Sequence, residues 1–426
     1  MTTVLAVDLG SASGRVLAGT LTDGRLDVTD IHRFKHEARR RQDGTLTWDV
    51  ATMEAETIIG LKKALEQFPD ARSVSIDTWG VDWAPLDENG ELVGDVIAYR
   101  DERTSRTLDA FRERIGDREF FDLTGNQPAT INTANQLFAY LQENPADAQR
   151  VAGVLFLPDY FVYRLTGAVG WSRTIASTSG LLTPGGGDFH DSACAVHGLP
   201  IEEGKRAYFL SCGSWSVLGA IEDRPLMSDI AFNMGITNEG RTDGGVRPLF
   251  NITGMWILQE IQRQWEREGT PTDTDELVAQ ARELPEAPGV FDPDGEAFAS
   301  PGDMQRKIDE ALDAQGVARP DSMAGYVRVI IESFARRYAR GIGELTEATG
   351  KAPDQLNLVG GGARNRLLCD LTAQIAGVTV VRGPIEASTF GSLLAQLETI
   401  GALDPQDRAS VIAASTSTHV HTPTRA

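Results

Sequence analysis

A chain of 426 residues, 41% hydrophobic and 24% charged, has an ordinary globular balance and the length for two domains or a little more. Its formal charge is −21, from 61 acidic against 40 basic side chains, so nucleic-acid backbones and acidic membranes are poor partners for the surface as a whole. No apolar run is long enough to span a bilayer. The three cysteines, Cys194, Cys212 and Cys369, are odd in number and form no CxxC, which argues against a zinc site or disulfide framework and for reduced thiols in the cytosol. The acidic residues are spread along the whole chain and arginine outnumbers lysine; this suits a salt-adapted cytoplasm and an acidic protein of an ordinary cell equally.

The N-terminus, MTTVLAVDLG, has no basic segment before its apolar stretch and reads as a strand rather than a signal peptide. From Thr3 to Leu21 an apolar run ends at Asp8, a Gly/Ser turn follows, and a second apolar run completes a strand-turn-strand unit. A helix is predicted over 50–68 and then a strand in SVSIDTWG. The same grammar returns from Arg206 to Ile221, in RAYFLSCGSWSVLGAI. Tyr326, Ile330, Phe334, Tyr338 and Leu345 recur at helical spacing, and the short strand LNLV then meets GGGARN. The repetition suggests an internal duplication into two α/β domains. The expected division is 1–200, 201–415 and a frayed tail, 416–426, with the boundary in GLPIEEGK. Residues 270–301 are expected to form a helix and a surface loop inside the second domain.

Five segments carry candidate chemistry. In DLGSASGR, Asp8 to Arg15, small residues expose backbone N–H groups and hydroxyls that suit phosphate oxygens, and Asp8 could hold Mg²⁺ through water. An ordinary hairpin turn explains the same residues, and no GK[ST] makes it a P-loop. SCGSWS, Ser211 to Ser216, is the matching turn. LVGGGARN, Leu358 to Asn365, brings glycines and a helix start where an anion could sit; a turn needing positive φ accounts for it equally. IDTWGVDW holds Asp77, Asp82, two tryptophans and Gly80, a mixture suited to a sugar's apolar C–H faces and donating hydroxyls. In the adjacent YRDERT, Glu102 and Arg103 read as solvated charge. Finally, His190-Asp191 opens an apolar segment after GGG. Asp191 is either a helix cap or a carboxylate placed to take a proton from a substrate hydroxyl.

Taken together, AVDLGSASGRV, GTLTWDV, SIDTWGVDW, AYRDERT, TGNQPATINTANQL, LPDYFVYRLTG, HDSACAV, YFLSCGSWSVLG, ITNEG, NITGMWILQE, VGGGARNRLL and GPIEASTFG run in order along nearly the whole chain. In this the chain resembles the FGGY carbohydrate kinases, and most closely their rhamnulokinase branch. The resemblance implies an α/β fold of two ribonuclease-H-like (actin-like ATPase) domains with a nucleotide cleft between them. It implies a cytoplasmic enzyme that uses ATP and Mg²⁺ to phosphorylate the 1-hydroxyl of L-rhamnulose. Ser11, Ala12, Ser13, Gly14 and Arg15 would face the phosphates, and Ser214, Asn251, Gln259, Gly361 and Gly362 would meet ATP. Gly80, Asp82, His190, Asp191 and Ser192 would meet the sugar, with Asp191 as base. Partners are then the sugar and ATP, with monomer and dimer both open.

One departure is large. In the family a helix and a strand precede the His-Asp and deliver the catalytic aspartate. Here Asp188-Phe189 runs straight into His190-Asp191, so the first domain is expected to be shortened near 187–190 and Asp191 to sit on a mobile glycine loop. Three readings follow: a rhamnulokinase impaired by a deletion, a kinase for another ketose such as L-fuculose or xylulose, or a non-catalytic nucleotide- or sugar-binding relative.

Overall fold

The computed structural model describes residues 1–183, 191–201, 204–213, 215–298 and 302–423, and only the backbone of 191–192. The chain divides into two compact units that interleave in sequence: 1–199, 221–248 and 387–415 form the first, and 200–220, 249–386 and 416–426 the second. These units differ from the expected consecutive division at residue 200 in that 221–248 and 387–415 join the first. Phe390, Leu393, Leu394 and Leu397 bury their side chains in one cluster with Val4, Ala6 and Leu26, so a C-terminal helix completes the N-terminal core.

In the first unit β1 (Thr2–Leu9), β2 (Ser13–Thr22), β3 (Arg25–Lys35) and β4 (Val74–Thr78) form a sheet of order β3-β2-β1-β4. β1 pairs antiparallel with β2, from Thr2↔Leu21 to Leu9↔Gly14, and parallel with β4, where Asp8 lies beside Asp77. Val4 to Val7 are wholly buried, as befits a central strand covered on both faces. Helix α1 (Val50–Gln67) begins where the Asp49 side chain accepts from the Thr52 amide at 3.0 Å, a cap worth about 1 kcal/mol. Its Gly60 lies so close to β2 that a Cβ would meet Val16 at 2.4 Å. The unit also contains α2 (Arg103–Arg114), α3 (Thr133–Glu143), α4 (Asp191–His197) and α8 (Ala387–Thr399).

The second unit repeats the plan. β5 (Ala207–Cys212) and β6 (Trp215–Ala220) form the antiparallel hairpin, and β7 (Val246–Thr253) pairs with β6 from Gly219↔Leu249 onward. β8 (Gln355–Val359) runs parallel to β5, and β9 (Thr379–Arg382) parallel to β8. Helices α5 (Trp256–Arg267), α6 (Met323–Thr349) and α7 (Arg366–Ala376) belong here. α6 buries Tyr326, Ile330, Phe334, Tyr338 and Leu345, the stripe expected from their spacing.

The segment after residue 270 forms a helix, Thr274–Glu283, and a loop bound to α6. In that loop Arg337 and Arg340 reach Asp294 and Asp292 at 2.6 and 3.0 Å. Part of the tail expected to fray is paired. His419–His421 forms β10, antiparallel on β9, with His421 Nδ1 2.6 Å from Asp370. An edge strand is held by backbone pairing, which needs no apolar period. Among the described residues the second sheet continues past β8 into β9 and β10, whereas the first ends at β4.

Candidate active site

The β1–β2 turn presents its residues in two groups. Ala12 and Ser13 are exposed, Ser11 is half-buried, and the Gly10 amide closes the turn on the Ser13 carbonyl at 2.9 Å. Gly14 is glycine because of Phe34, whose ring would lie 2.2 Å from a Cβ there. Asp8 and Arg15 face each other in register, and Arg15 Nη2 and Nε sit 2.6 and 3.1 Å from Asp8 Oδ2. The same oxygen accepts from Thr389 Oγ1 on α8. Among the described residues no group of three or more His, Cys, Asp or Glu side chains could hold a metal by itself. Mg²⁺ held largely by phosphates and water needs only one or two carboxylates, and Asp8 with Asp77 beside it fits that requirement.

Next to this turn stands an aromatic wall. The Trp48 and Trp79 rings lie 4.4 Å apart at 45°, and His36 stacks on Trp79 at 5.9 Å. Burial holds the His36 imidazole below its ordinary pKa, against the opposing pull of the Ser13 and Gly10 backbone. Gly80 is partly exposed, and a Cβ there would crowd Thr178 Oγ1 at 3.1 Å. Asp82 is 0% exposed, and its Oδ2 accepts from Trp48 Nε1 at 2.6 Å and Trp79 Nε1 at 2.8 Å.

Between Gly80 and Asp82, Val81 has φ +69° and the Asp82 amide bonds the Gly80 carbonyl at 2.9 Å. This is a γ-turn of the rare, strained hand, in a β-branched residue, at a cost of about 1–3 kcal/mol. The Val81 carbonyl is fixed by Thr133 Oγ1 at 2.7 Å and Gln136 Nε2 at 3.1 Å. Gln136 in turn accepts from Arg103 Nη2 at 3.1 Å. Arg103, read from sequence as solvated, is 2% exposed and also reaches the Ala98 carbonyl; Glu102 is exposed as expected. A charge run on a helix start looks the same whether one member turns inward or not.

Asp191 is the first residue of α4, and Ser192 follows it; His190 lies outside the described residues. α4 is fixed by close packing on α8. A Cβ on Gly391 would sit 1.8 Å from the Cys194 carbonyl oxygen, and one on Gly198 would sit 3.1 Å from that of Ala387. α8 is itself tied to the sheet, by Thr389 to Asp8, by Ser392 to Ser75 at 2.6 Å, and by Gln396 to the Leu5 carbonyl at 2.9 Å. Of these α8 residues only Thr389 falls within GPIEASTFG, and nothing in its type signals that it reaches back to β1.

In the second unit the β5–β6 turn is closed by Gly213 N on the Trp215 carbonyl at 2.8 Å; Ser214 lies outside the described residues. The glycine loop packs on this hairpin. A Cβ on Gly362 would lie 2.2 Å from Cys212 Sγ, and Gly360 has φ +82° and faces the Cys212 carbonyl. Gly361 is exposed, and a Cβ there would meet nothing within 4 Å. Two of the three glycines thus answer to the protein's own packing. α7 starts later than the glycines suggest, at Arg366, with Asn365 capping the Leu368 amide. Asn251 on β7 and Gln259 on α5 are exposed, and the Met255 amide that begins α5 bonds the Gly213 carbonyl at 2.9 Å. Asn251, Gln259, Gly361 and Gly362 therefore surround one hairpin.

A doubled α/β plan, each half built on an antiparallel hairpin with a parallel strand at its side, defines a two-domain fold of the ribonuclease-H-like, actin-like ATPase kind. Residues 3–205 match the N-terminal domain, and 208–398 the C-terminal domain, of the FGGY family of carbohydrate kinases. The chain belongs to that family, whose members are phosphotransferases with an alcohol group as acceptor. Its fold is similar to that of a ligand-bound xylulose kinase from Lactobacillus acidophilus, at 14% identity and TM-score 0.79, covering 100% of this chain and 94% of that one. A xylulose kinase from Rhodospirillum rubrum (16%, 0.77, 99% and 94%) and a glycerol kinase from Plasmodium falciparum with ADP (14%, 0.77, 99% and 94%) share it. Among the described residues no helix is long and apolar enough to cross a membrane.

Proposed function

We propose that this kinase transfers the γ-phosphate of ATP to the 1-hydroxyl of L-rhamnulose, giving L-rhamnulose 1-phosphate, with turnover impaired by the shortened first domain. The observation that carries the reading is the Trp48–Trp79 wall beside Gly80, next to the turn that begins at Asp8. Indole faces suit the C–H face and methyl group of a deoxy sugar. Phosphoryl transfer asks chiefly for positioning and charge stabilisation. Ser11 to Arg15 face the phosphates, with Arg15 held at a fixed angle by Asp8. Asn251, Gln259, Gly361 and Gly362, with Ser214, bind ATP, and the open space above Gly361 leaves room for it. Asp8 would hold Mg²⁺, which supplies neutralisation of phosphate charge. His190 and Ser192 orient the sugar, and Asp191 takes the proton of the attacking hydroxyl.

A kinase for another ketose is the second reading, favoured by the fold shared with xylulose kinases across 94% of their length. An ADP-release assay with L-rhamnulose, L-fuculose and xylulose separates the two. The highest kcat/KM with L-rhamnulose supports the first reading, and a higher value for another ketose replaces it. ADP release from none of them, with ATP still bound, identifies a non-catalytic relative.

A further inference from the structure

The polar edges of both indoles in the aromatic wall point at one carboxylate oxygen, Asp82 Oδ2. We propose that Asp82, within the ketose-kinase reading above, is a positioning residue for sugar recognition: it touches no sugar and clamps Trp48 and Trp79 into one wall.

The backbone delivers Asp82 to this place with little freedom. The strained turn at Val81 is held by Thr133 and Gln136 from α3, and Gln136 is held by Arg103 from α2. The Asp82 carbonyl also accepts from the Leu157 amide at 3.0 Å. The clamp is thus built into three elements beyond its own loop.

The groups facing the carboxylate are the two indole N–H groups, the Tyr99 backbone amide and the Arg103 guanidinium. Arg103 is drawn in turn by Asp101 and Glu143, and His36 lies across the indoles. Burial outweighs the four favourable partners and pushes Asp82 up to about 7. Above that pH the clamp is a carboxylate making charge-assisted bonds to both indoles; below it, a neutral acid making weaker ones. The wall therefore firms as pH rises through neutrality.

The test reads the indoles first, without sugar. In the free protein, near-ultraviolet circular dichroism and tryptophan fluorescence should titrate with a midpoint near 7. Asp82→Asn keeps an oxygen for both N–H groups but cannot ionise, and should abolish that titration. Trp48→Phe removes one donor to the carboxylate and should move the midpoint upward, which keeps the idea testable if Asp82→Asn fails to fold. With the ketose that gives fastest ADP release, KM should rise about fivefold from pH 8 to pH 6, the loss expected as charge-assisted bonds become neutral ones, with a smaller change in kcat. In Asp82→Asn that slope in KM should be flat. An indole signal constant across this range in the parent protein, or a KM slope that survives Asp82→Asn, overturns the proposal. Absence of ADP release with every ketose refutes the kinase reading instead, and the sugar-free titration still decides the clamp.

Discussion

In the second unit the hairpin β5–β6 is followed across the sheet by two parallel strands, β8 and β9, and β9 is bonded to β8 at four consecutive register pairs, Gln355↔Thr379 to Leu358↔Arg382. In the first unit the hairpin β1–β2 is followed by β4 alone, and α4 begins with no such strand before it among the described residues. A strand before α4 is what the family resemblance assigns to delivering the catalytic aspartate, and the described residues show instead how α4 itself is held. A strand fixes the residue at its end through a ladder of directional bonds. α4 is fixed instead by helix packing, Gly391 on Cys194 and Gly198 on Ala387. Packing of this kind sets the distance between helices sharply, and the position along their axes less so.

The largest test of this contrast is chemical. Asp191→Asn removes proton acceptance and leaves size and capping alone, so turnover should fall ~10²–10⁴-fold while ATP binding, followed by calorimetry, persists. If Asp191 only caps α4, turnover should hold, because asparagine caps as well as aspartate. Next in size is restoration of the strand. A helix-plus-strand of family type inserted between Phe189 and His190 should raise turnover on the order of 100-fold, the usual cost of ~1 Å of misplacement. A parent chain that already matches an intact kinase, or an insertion without effect, removes the idea that the missing strand matters.

The third test addresses the packing that stands in for the strand. Gly391→Ala puts a methyl group 1.8 Å from a backbone oxygen that cannot rotate away. Denaturant unfolding should show a loss of about 1–3 kcal/mol. An unchanged midpoint means that α4 is not held there. The smallest effect belongs to the surface as a whole. A charge of −21 repels itself, and screening over a Debye length of ~8 Å at physiological ionic strength relieves it. The melting temperature should rise by a few degrees from low to molar KCl, and a flat or falling curve argues against a salt-adapted surface.

The two hairpins were legible in sequence because their partners are neighbours: an apolar run, a small-residue turn and a second run suffice to set Asp8 against Arg15 and Cys212 against Ser216. The α6 stripe was legible for the same local reason. What sequence left out depends on distant partners. Arg103 is buried because Gln136 and the Ala98 carbonyl receive it. Asp82 was read as an acceptor for sugar hydroxyls, and its donors are indoles, one of them 34 positions earlier. The tail strand exists because β9 has an open edge for it. Thr389 lies 381 positions from the carboxylate it bonds, beyond the reach of any local pattern.

The seating of α8 against β1 also has a consequence for synthesis. Val4 and Ala6 leave the ribosome long before the Phe390, Leu393 and Leu397 side chains that bury them. At ~5–20 residues per second the interval is on the order of tens of seconds. For that time the first sheet lacks one of its covers, and a nascent chain stalled before residue 387 presents an apolar face to chaperones and to its neighbours on the polysome.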